Sequence, residues 1–180
     1  MKKSVLLSIV VFSLAGLLCF AFACQKKTEV PAAEVAAPAV NLEAEKAAVK
    51  AVLDQIIDVM KTEDMELYSK IMAHDDDMVN FGTDAAERWV GWEPLKSAFV
   101  QQFVSVEETE ISVRELEIKV HKSGEVAWFS EIWDWKGQAQ GQPFAIEGMR
   151  FTGVLEKRNG NWVVVHVHAS IPVSGQAIKY

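Results

Sequence analysis

The chain has 180 residues, with 25 acidic side chains against 18 basic ones and a formal net charge of −7 at pH 7. This length suits a single domain. An acidic surface repels phosphate backbones, so we expect no nucleic-acid partner. Both cysteines, Cys19 and Cys24, lie near the beginning of the chain. The remainder therefore has neither disulfides nor cysteine-ligated zinc, and we predict that it uses no metal and no cofactor.

The first residues are organised like a secretory signal. Lys2 and Lys3 precede an apolar stretch, residues 5–23, that ends in Ala-Phe-Ala, which is a small-residue cleavage site. We predict a signal peptide over residues 1–23. An uncleaved membrane helix is the alternative, because about 20 apolar residues can span a bilayer. The expected location is the cell envelope after export, on the periplasmic side if the cell is Gram-negative.

Cys24 follows this stretch directly and resembles the acylated cysteine of bacterial lipoproteins. The resemblance implies lipidation of Cys24, with the membrane as a partner. Lipoprotein signals usually have Leu three residues before the cysteine, where this chain has Ala21, so ordinary cleavage after Ala23 stays open. Residues 24–41 are predicted to be the lipidated cysteine and a flexible linker, and residues 42–180 the folded domain.

Three helices are predicted at the beginning of that domain. Asn41 is a suitable cap for the first helix, a short second helix starts at Asp64, and a third has Pro94 in its first turn. Their apolar side chains recur at helical spacing, which gives each helix one face to bury. These side chains are Val49, Val52, Leu53, Ile56, Ile57 and Met60, then Leu67, Tyr68, Ile71 and Met72, then Leu95, Phe99 and Phe103.

Alternating apolar residues after the third helix predict an antiparallel sheet. The alternation slips at Arg114-Glu115, which is the signature of a β-bulge that bends a sheet. Asn159-Gly160 is a strong hairpin signal between the last two strands. The predicted strands are 78–81, 111–120, 126–135, 144–157 and 162–171. Helices followed by a bent antiparallel sheet predict the α+β class, with the helices on one face.

Two stretches resemble the SnoaL-like branch of the nuclear-transport-factor-2-like superfamily. Residues 81–92 have Gly-Thr-Asp, an acid, an aromatic and a Gly before a helix, and the second stretch runs from Arg150-Phe151-Thr152 to Pro172. The likeness covers about residues 42–173. It implies a cone-shaped, curved antiparallel sheet packed on three N-terminal helices, a cystatin-like α+β roll with a pocket at its wide end. In that superfamily some pockets hold small organic molecules, and dimers through the sheet are common.

His166 and His168 are two residues apart on a predicted strand, so their rings point to one face. A metal site would need a third ligand, and the candidates, Glu131 and Asp134, lie on another strand. A hydrogen-bonded core pair and a metal-free pocket lining are the other two interpretations, and we expect no metal.

The hairpin register decides whether Arg150 and Thr152 join these histidines. A two-residue turn on Asn159-Gly160 directs Arg150 away from them. A three-residue loop that pairs Lys157 with Asn161 places Arg150 and Thr152 beside them. We favour the second register.

An Arg-His-His-Thr cluster would suit a ligand with a carboxylate or carbonyl, because arginine offers a planar fork of donors. A structural ion pair from Arg150 to Glu131 or Glu147 is the alternative. Two tryptophans are predicted to touch the ligand, and the other four to lie in the core or at a dimer surface. The predicted ligand-binding residues are Trp89, Trp128, Arg150, Thr152, His166 and His168.

Three functions follow from these features. The favoured one is an exported, lipid-anchored, homodimeric domain that binds a small, partly apolar organic molecule, without established catalysis. The second is an isomerase- or cyclase-type enzyme in which His166, His168 or a carboxylate, Glu131 or Asp134, is the general base. The third is a dimeric structural or protein-interaction module of the envelope, which an exposed tryptophan on the outer face of the sheet would favour.

Overall fold

The computed structural model of the protein describes residues 40–176 and residue 178. The predicted signal peptide, Cys24 and nearly all of the predicted linker lie outside the described residues. Within the described part, no helix has the length and apolar character that crossing a membrane requires.

Helices form where capping side chains and apolar spacing coincide. Asn41 Oδ1 accepts a hydrogen bond from the Ala44 amide at 3.1 Å, and the Asp64 carboxylate accepts from the amides of Glu66 and Leu67 at 2.9 Å. The predicted cap at Asn41 and the predicted helix start at Asp64 are thereby confirmed. The described helices are α1 (Leu42–Thr62), α2 (Met65–Ile71) and α3 (Trp92–Ser105).

The described strands form one six-stranded sheet in the order β2-β1-β6-β5-β4-β3. Among them β1 and β6 pair in parallel, and every other neighbouring pair is antiparallel. The strands are β1 (Val79–Phe81), β2 (Arg88–Val90), β3 (Val106–Val120), β4 (Val126–Ala139), β5 (Gln142–Arg158) and β6 (Asn161–Ser170). Strand β2 was not predicted, because three residues are too few to show an alternating pattern.

Bulges bend the sheet towards the helices. The pairing of β3 with β4 shifts between Arg114 and Glu117, where Glu115 has a φ of 55°, and this confirms the predicted bulge. A second shift in the same pair includes Glu108, with a φ of 54°. Because each bulge adds local twist and curvature, the long strands wrap around the helices. The α+β class with a curved sheet on helices is therefore confirmed.

The turn between β5 and β6 has two residues. Asn159 and Gly160 have φ values of 52° and 83°, and Arg158 pairs with Asn161. Positive φ at both central positions defines a type I′ turn, which matches the twist of the flanking strands. The three-residue loop favoured from the sequence is therefore wrong.

A bulge in β6 then changes the register that this turn sets. Val165 is the extra residue, since Val154 pairs with His166 while the next residue of β5 pairs with Val164. Beyond the bulge Thr152 lies opposite His168. Threonine and histidines thus share a face, as predicted, although by a different turn.

The core lies between the helices and the inner face of the sheet. Its largest fully buried side chains come from α1, α3, β1, β5 and β6. They are Val49, Val59, Leu95, Asn80, Leu155 and Val164.

An ionic contact fixes the beginning of α1 on the β5–β6 hairpin. The Glu45 carboxylate accepts hydrogen bonds from Lys157 Nζ at 2.6 Å and from Trp162 Nε1 at 2.9 Å. These two donors, Lys157 first, lower the pKa of Glu45. Next to Lys157 on β5, Arg158 binds both carboxylate oxygens of Asp75, a bidentate geometry that orients both side chains.

Asn80 is a fully buried polar side chain in β1. Its Oδ1 accepts a hydrogen bond from the Val167 amide of β6 at 2.8 Å. This bond holds the short β1–β2 pair on the edge of the sheet.

We expect Asn80→Ala to lower the free energy of unfolding by about 1–3 kcal/mol, because the Val167 amide then stays buried without an acceptor. Urea denaturation followed by circular dichroism measures this change. The matched control is Asn161→Ala, an exposed position, where the expected change is within about 0.5 kcal/mol. Similar losses for both variants would contradict the assigned role of Asn80.

Candidate functional site

A cavity of about 510 Å³ lies between α1, α3 and the inner face of the sheet. This volume is within the range of small-molecule sites, roughly 300–1,000 Å³. Most of its lining is apolar, and six of the lining side chains are aromatic. The lining residues are Ile56, Met60, Phe81, Gly82, Thr83, Glu87, Trp89, Leu95, Ala98, Phe99, Gln101, Gln102, Ser105, Val106, Trp133, Trp135, Met149, Phe151, Val167 and Ala169.

The periodicity of each element explains which side chains reach the cavity. Ile56 and Met60 of α1 are four residues apart, so they lie on one helical face. Trp133 of β4 and the pair Met149 and Phe151 of β5 belong to the inward phase of their strands, and all three are less than 9% exposed. The cavity wall is therefore an extension of the buried core.

One hydrogen-bond donor in the wall has no partner. Trp133 Nε1 donates to Glu131 Oε1 at 2.7 Å, whereas Trp135 Nε1 is buried without an acceptor among the described residues. Buried indole N–H groups are usually hydrogen-bonded. Among the described residues, Trp135 Nε1 is thus a buried donor of the cavity lining that has no partner.

The loop between β1 and β2 forms the rim of the cavity. Glu87 folds back across this loop, and its Oε2 accepts hydrogen bonds from the Asp84 amide at 2.9 Å and Thr83 Oγ1 at 3.4 Å. A Cβ at Gly82 would lie 2.8 Å from the Trp89 ring and would collide with the Glu87 carboxylate. Glycine at position 82 therefore lets these two side chains close over the backbone.

Glu131 is a buried carboxyl group directly behind the cavity wall. It is 4% exposed and bonds to Trp133, but it does not line the cavity. Burial raises its pKa to about 7, against the smaller opposing effect of the hydrogen bond from Trp133. A carboxyl group with this pKa exchanges protons near neutral pH.

Asp134, the other carboxylate considered as a base, does not line this cavity either. It accepts a hydrogen bond from the Gly148 amide at 2.8 Å and lies 3.5 Å from Arg114 Nε. These contacts, the backbone hydrogen bond first, lower its pKa. Across residues 40–176 and 178, no three His, Cys, Asp or Glu side chains are grouped as metal ligands.

Of the two tryptophans expected to touch ligand, Trp89 lines the cavity and Trp128 does not. Trp128 is 48% exposed, because it alternates with the buried Ala127 and Phe129 of β4 and so points away from the helices.

Arg150, Thr152, His166 and His168 share one face of the sheet, as predicted, but it is the outer face. Their neighbours in the strands, among them Phe151, occupy the inner face. None of the four lines the cavity that the described residues form. The expected cluster of Arg, His, His and Thr is therefore corrected to a surface feature.

The two histidines have different surroundings on that face. His166 Nδ1 lies 2.6 Å from the carbonyl oxygen of Val79 and donates to it, which ties β6 to β1. His168 is exposed, and its ring is 5.5 Å from the ring of Phe81.

The sequence reasoning missed Glu87, Trp133, Trp135 and the inner face of α3 as parts of the site. A signal was present for Glu87, because it belongs to the residue 81–92 stretch that carries the family resemblance. In the strands, the signal was the alternation of large apolar residues with polar ones. Met149 and Phe151 belong to the apolar set, which identifies the inner face.

A curved sheet that closes an apolar cavity against helices defines a class of small α+β domains with one concave site. Solved structures of that class resemble this chain. A nuclear transport factor 2-like superfamily protein from Salmonella enterica has 18% identity and a TM-score of 0.67, covering 77% of this chain and 99% of its own. A candidate dehydratase of the same family from Streptomyces avermitilis has 13% identity and a TM-score of 0.65, covering 73% and 99%.

A third structure, a candidate ketosteroid isomerase from Shewanella frigidimarina, has 16% identity and a TM-score of 0.57, covering 70% of this chain and 97% of its own. No curated protein matches the chain in sequence. The SnoaL-like domain family matches residues 49–174, which is more than half of the chain. The chain therefore belongs to the SnoaL-like domain family.

The buried Glu131 makes folding stability depend on pH. Its pKa is raised on folding, so its stabilising contribution is complete below the unfolded pKa and disappears as the pH rises through about 7. When the pH rises from 5.5 to 8.5, we expect the ionisation of Glu131 to lower the free energy of unfolding by about 2 kcal/mol. Glu131→Gln, which keeps an acceptor for Trp133, should remove that loss.

Urea unfolding of both proteins at the two pH values measures this difference, and groups outside this site cancel in the comparison. Glu93→Gln, at an exposed position, is the matched control and should retain the wild-type pH dependence. The same change in the free energy of unfolding between the two pH values for wild type and Glu131→Gln would contradict the raised pKa of Glu131.

Proposed function

We propose that this domain binds a small, partly apolar organic molecule that carries a hydrogen-bond acceptor. The observation that carries the proposal is the aromatic cavity with a buried, unpartnered indole N–H on Trp135. An acceptor on the ligand would satisfy that donor, and the apolar walls would bury the rest of the molecule.

The proposal includes the location of the domain. Residues 1–23 direct export, and a lipid on Cys24 holds the mature chain at a membrane of the cell envelope. The predicted linker then separates the binding domain from the bilayer.

An isomerase- or cyclase-type enzyme has less support. The histidines that would act as general base lie on the outer face, and Trp133 separates Glu131 from the cavity. A general base must come within hydrogen-bond reach of the proton that it removes, directly or through one water. None of the predicted bases, which are His166, His168, Glu131 and Asp134, lines the cavity that the described residues form, and the binding function needs none of them.

The neutral fluorophore 6-propionyl-2-dimethylaminonaphthalene tests the binding function, because it combines an apolar ring system with a carbonyl acceptor. We expect a blue-shifted emission on binding. Ala98→Trp, which fills the cavity, should weaken binding at least about tenfold, and Trp135→Phe about three- to tenfold through the lost hydrogen bond. Fluorescence titration gives each affinity.

Trp128→Phe and His168→Ala are the matched controls on the outer face, and they should bind the fluorophore like the wild type. Native mass spectrometry of domain purified gently from its host would show a bound organic mass. Equal affinity of the wild type and Ala98→Trp would contradict the cavity as the binding site.

We also propose that the outer face of the sheet forms a homodimer. The supporting observation is the 48% exposed Trp128, whose neighbours in register are Lys119, Val154 and His166. Glu117 and Lys119 of β3 and Glu156 of β5 lie near this tryptophan on the same face. Two copies of the face can therefore match apolar surface and opposite charges. This arrangement leaves both cavities open.

Trp128→Glu should convert the dimer to a monomer, because two carboxylates would be buried at the interface. Sedimentation velocity of wild type and variant measures the change, and Trp128→Phe is the control that should remain dimeric. A monomeric wild type, or a dimeric Trp128→Glu, would contradict this interface.

A further inference from the structure

The charge that lines the cavity is negative. Among its lining residues the sole charged side chain is Glu87, and none is lysine, arginine or histidine. The chain as a whole has a formal net charge of −7. The electrostatic potential at the rim therefore favours cations over anions.

Glu87 is held in place with one oxygen available. Among the described residues, the hydrogen bonds to its carboxylate end on Oε2, from Thr83 and Asp84. No hydrogen bond or ion pair from the described residues reaches Oε1. Arg88 follows in sequence, but the alternation of β2 puts it on the opposite side from Trp89. The carboxylate is thus fixed without a compensating charge.

Aromatic rings continue from this carboxylate into the cavity. Trp89 lies at the rim on β2, and Phe99, Trp133, Trp135 and Phe151 line the interior. The face of an aromatic ring carries negative potential, which attracts ammonium groups and repels carboxylates. Ring faces and Glu87 therefore select for the same sign of charge.

We infer that the ligand of this site is an organic cation, a protonated or quaternary amine attached to a largely apolar body that carries the hydrogen-bond acceptor. The ammonium group lies at the rim against Glu87 and Trp89, and the apolar body fills the interior. This inference rests on the proposed binding function and names its ligand class. It also replaces the carboxylate ligand that the Arg-His-His-Thr cluster suggested, because that cluster lies outside the cavity.

Three probes with one ring system separate charge from shape. They are 2-naphthylmethyl-trimethylammonium, its uncharged carbon isostere 2-neopentylnaphthalene, and 2-naphthylacetate. Each competes with the neutral fluorophore used above. We expect the cation to bind about tenfold more tightly than the neutral isostere, and the anion more weakly than either.

Glu87→Gln keeps an oxygen that can accept from Asp84 and removes only the charge. The variant should bind the cation about tenfold more weakly and the neutral isostere unchanged. Glu93→Gln, the same substitution outside the cavity, should leave both affinities unchanged. Binding of the neutral isostere by Glu87→Gln also verifies that the variant is folded, and the three-probe comparison on wild type stands without it.

Equal binding of cation and neutral isostere by the wild type would overturn the inference while leaving the proposed binding function intact. An unchanged cation affinity in Glu87→Gln would do the same. Failure of the neutral fluorophore to bind at all would instead contradict the proposed function itself.

Discussion

The curvature of the sheet is the constraint on which the rest of this domain depends. A flat sheet could bury its apolar side chains only against helices that lie flat on it. The sheet of this domain is bent instead, by the bulges at Glu108 and Glu115 and by the register shifts in the later strands. The bent strands pack on α1 at one end and stand away from α3 at the other. The same inward side chains, such as Met149 and Phe151, therefore serve as core and as cavity wall.

Local signals predicted much of this architecture. The cap at Asn41, the helix start at Asp64 and the slip at Arg114-Glu115 are short-range features, and the structure contains all three. The hairpin register was decided by two features together, a turn on Asn159-Gly160 and an extra residue in β6. A bulge in a run of valines has no local signature, because every residue of the run suits either face. The lengths of β4 and β5 were underestimated because the two residues between them are Gln-Gly. That pair is a weaker hairpin signal than Asn-Gly or Asp-Gly.

The site was harder to predict than the fold. The predicted site lay on the outer face because it was built on Arg150 and the two histidines. Two-residue spacing shows that such residues share a face of the sheet, but it does not show which face they occupy. Deciding the face requires knowing which phase the helices cover, and that depends on contacts distant in sequence. Glu87 was missed because its role depends on Gly82 and on a strand of three residues. What composition did indicate was an acidic chain rich in tryptophan.

The parallel pairing of β1 with β6 has a consequence for the order of assembly. The rim is encoded early in the chain, yet it rests on the last strand of the sheet, through Asn80 and Val167. Contacts of such large sequence separation form late and slowly. A chain that lacks β6, whether during synthesis or after proteolysis, lacks the part of the cavity wall that Val167 and Ala169 form. A molecule that occupies the site is therefore linked to the integrity of the whole domain, and its binding shifts the folding equilibrium by mass action.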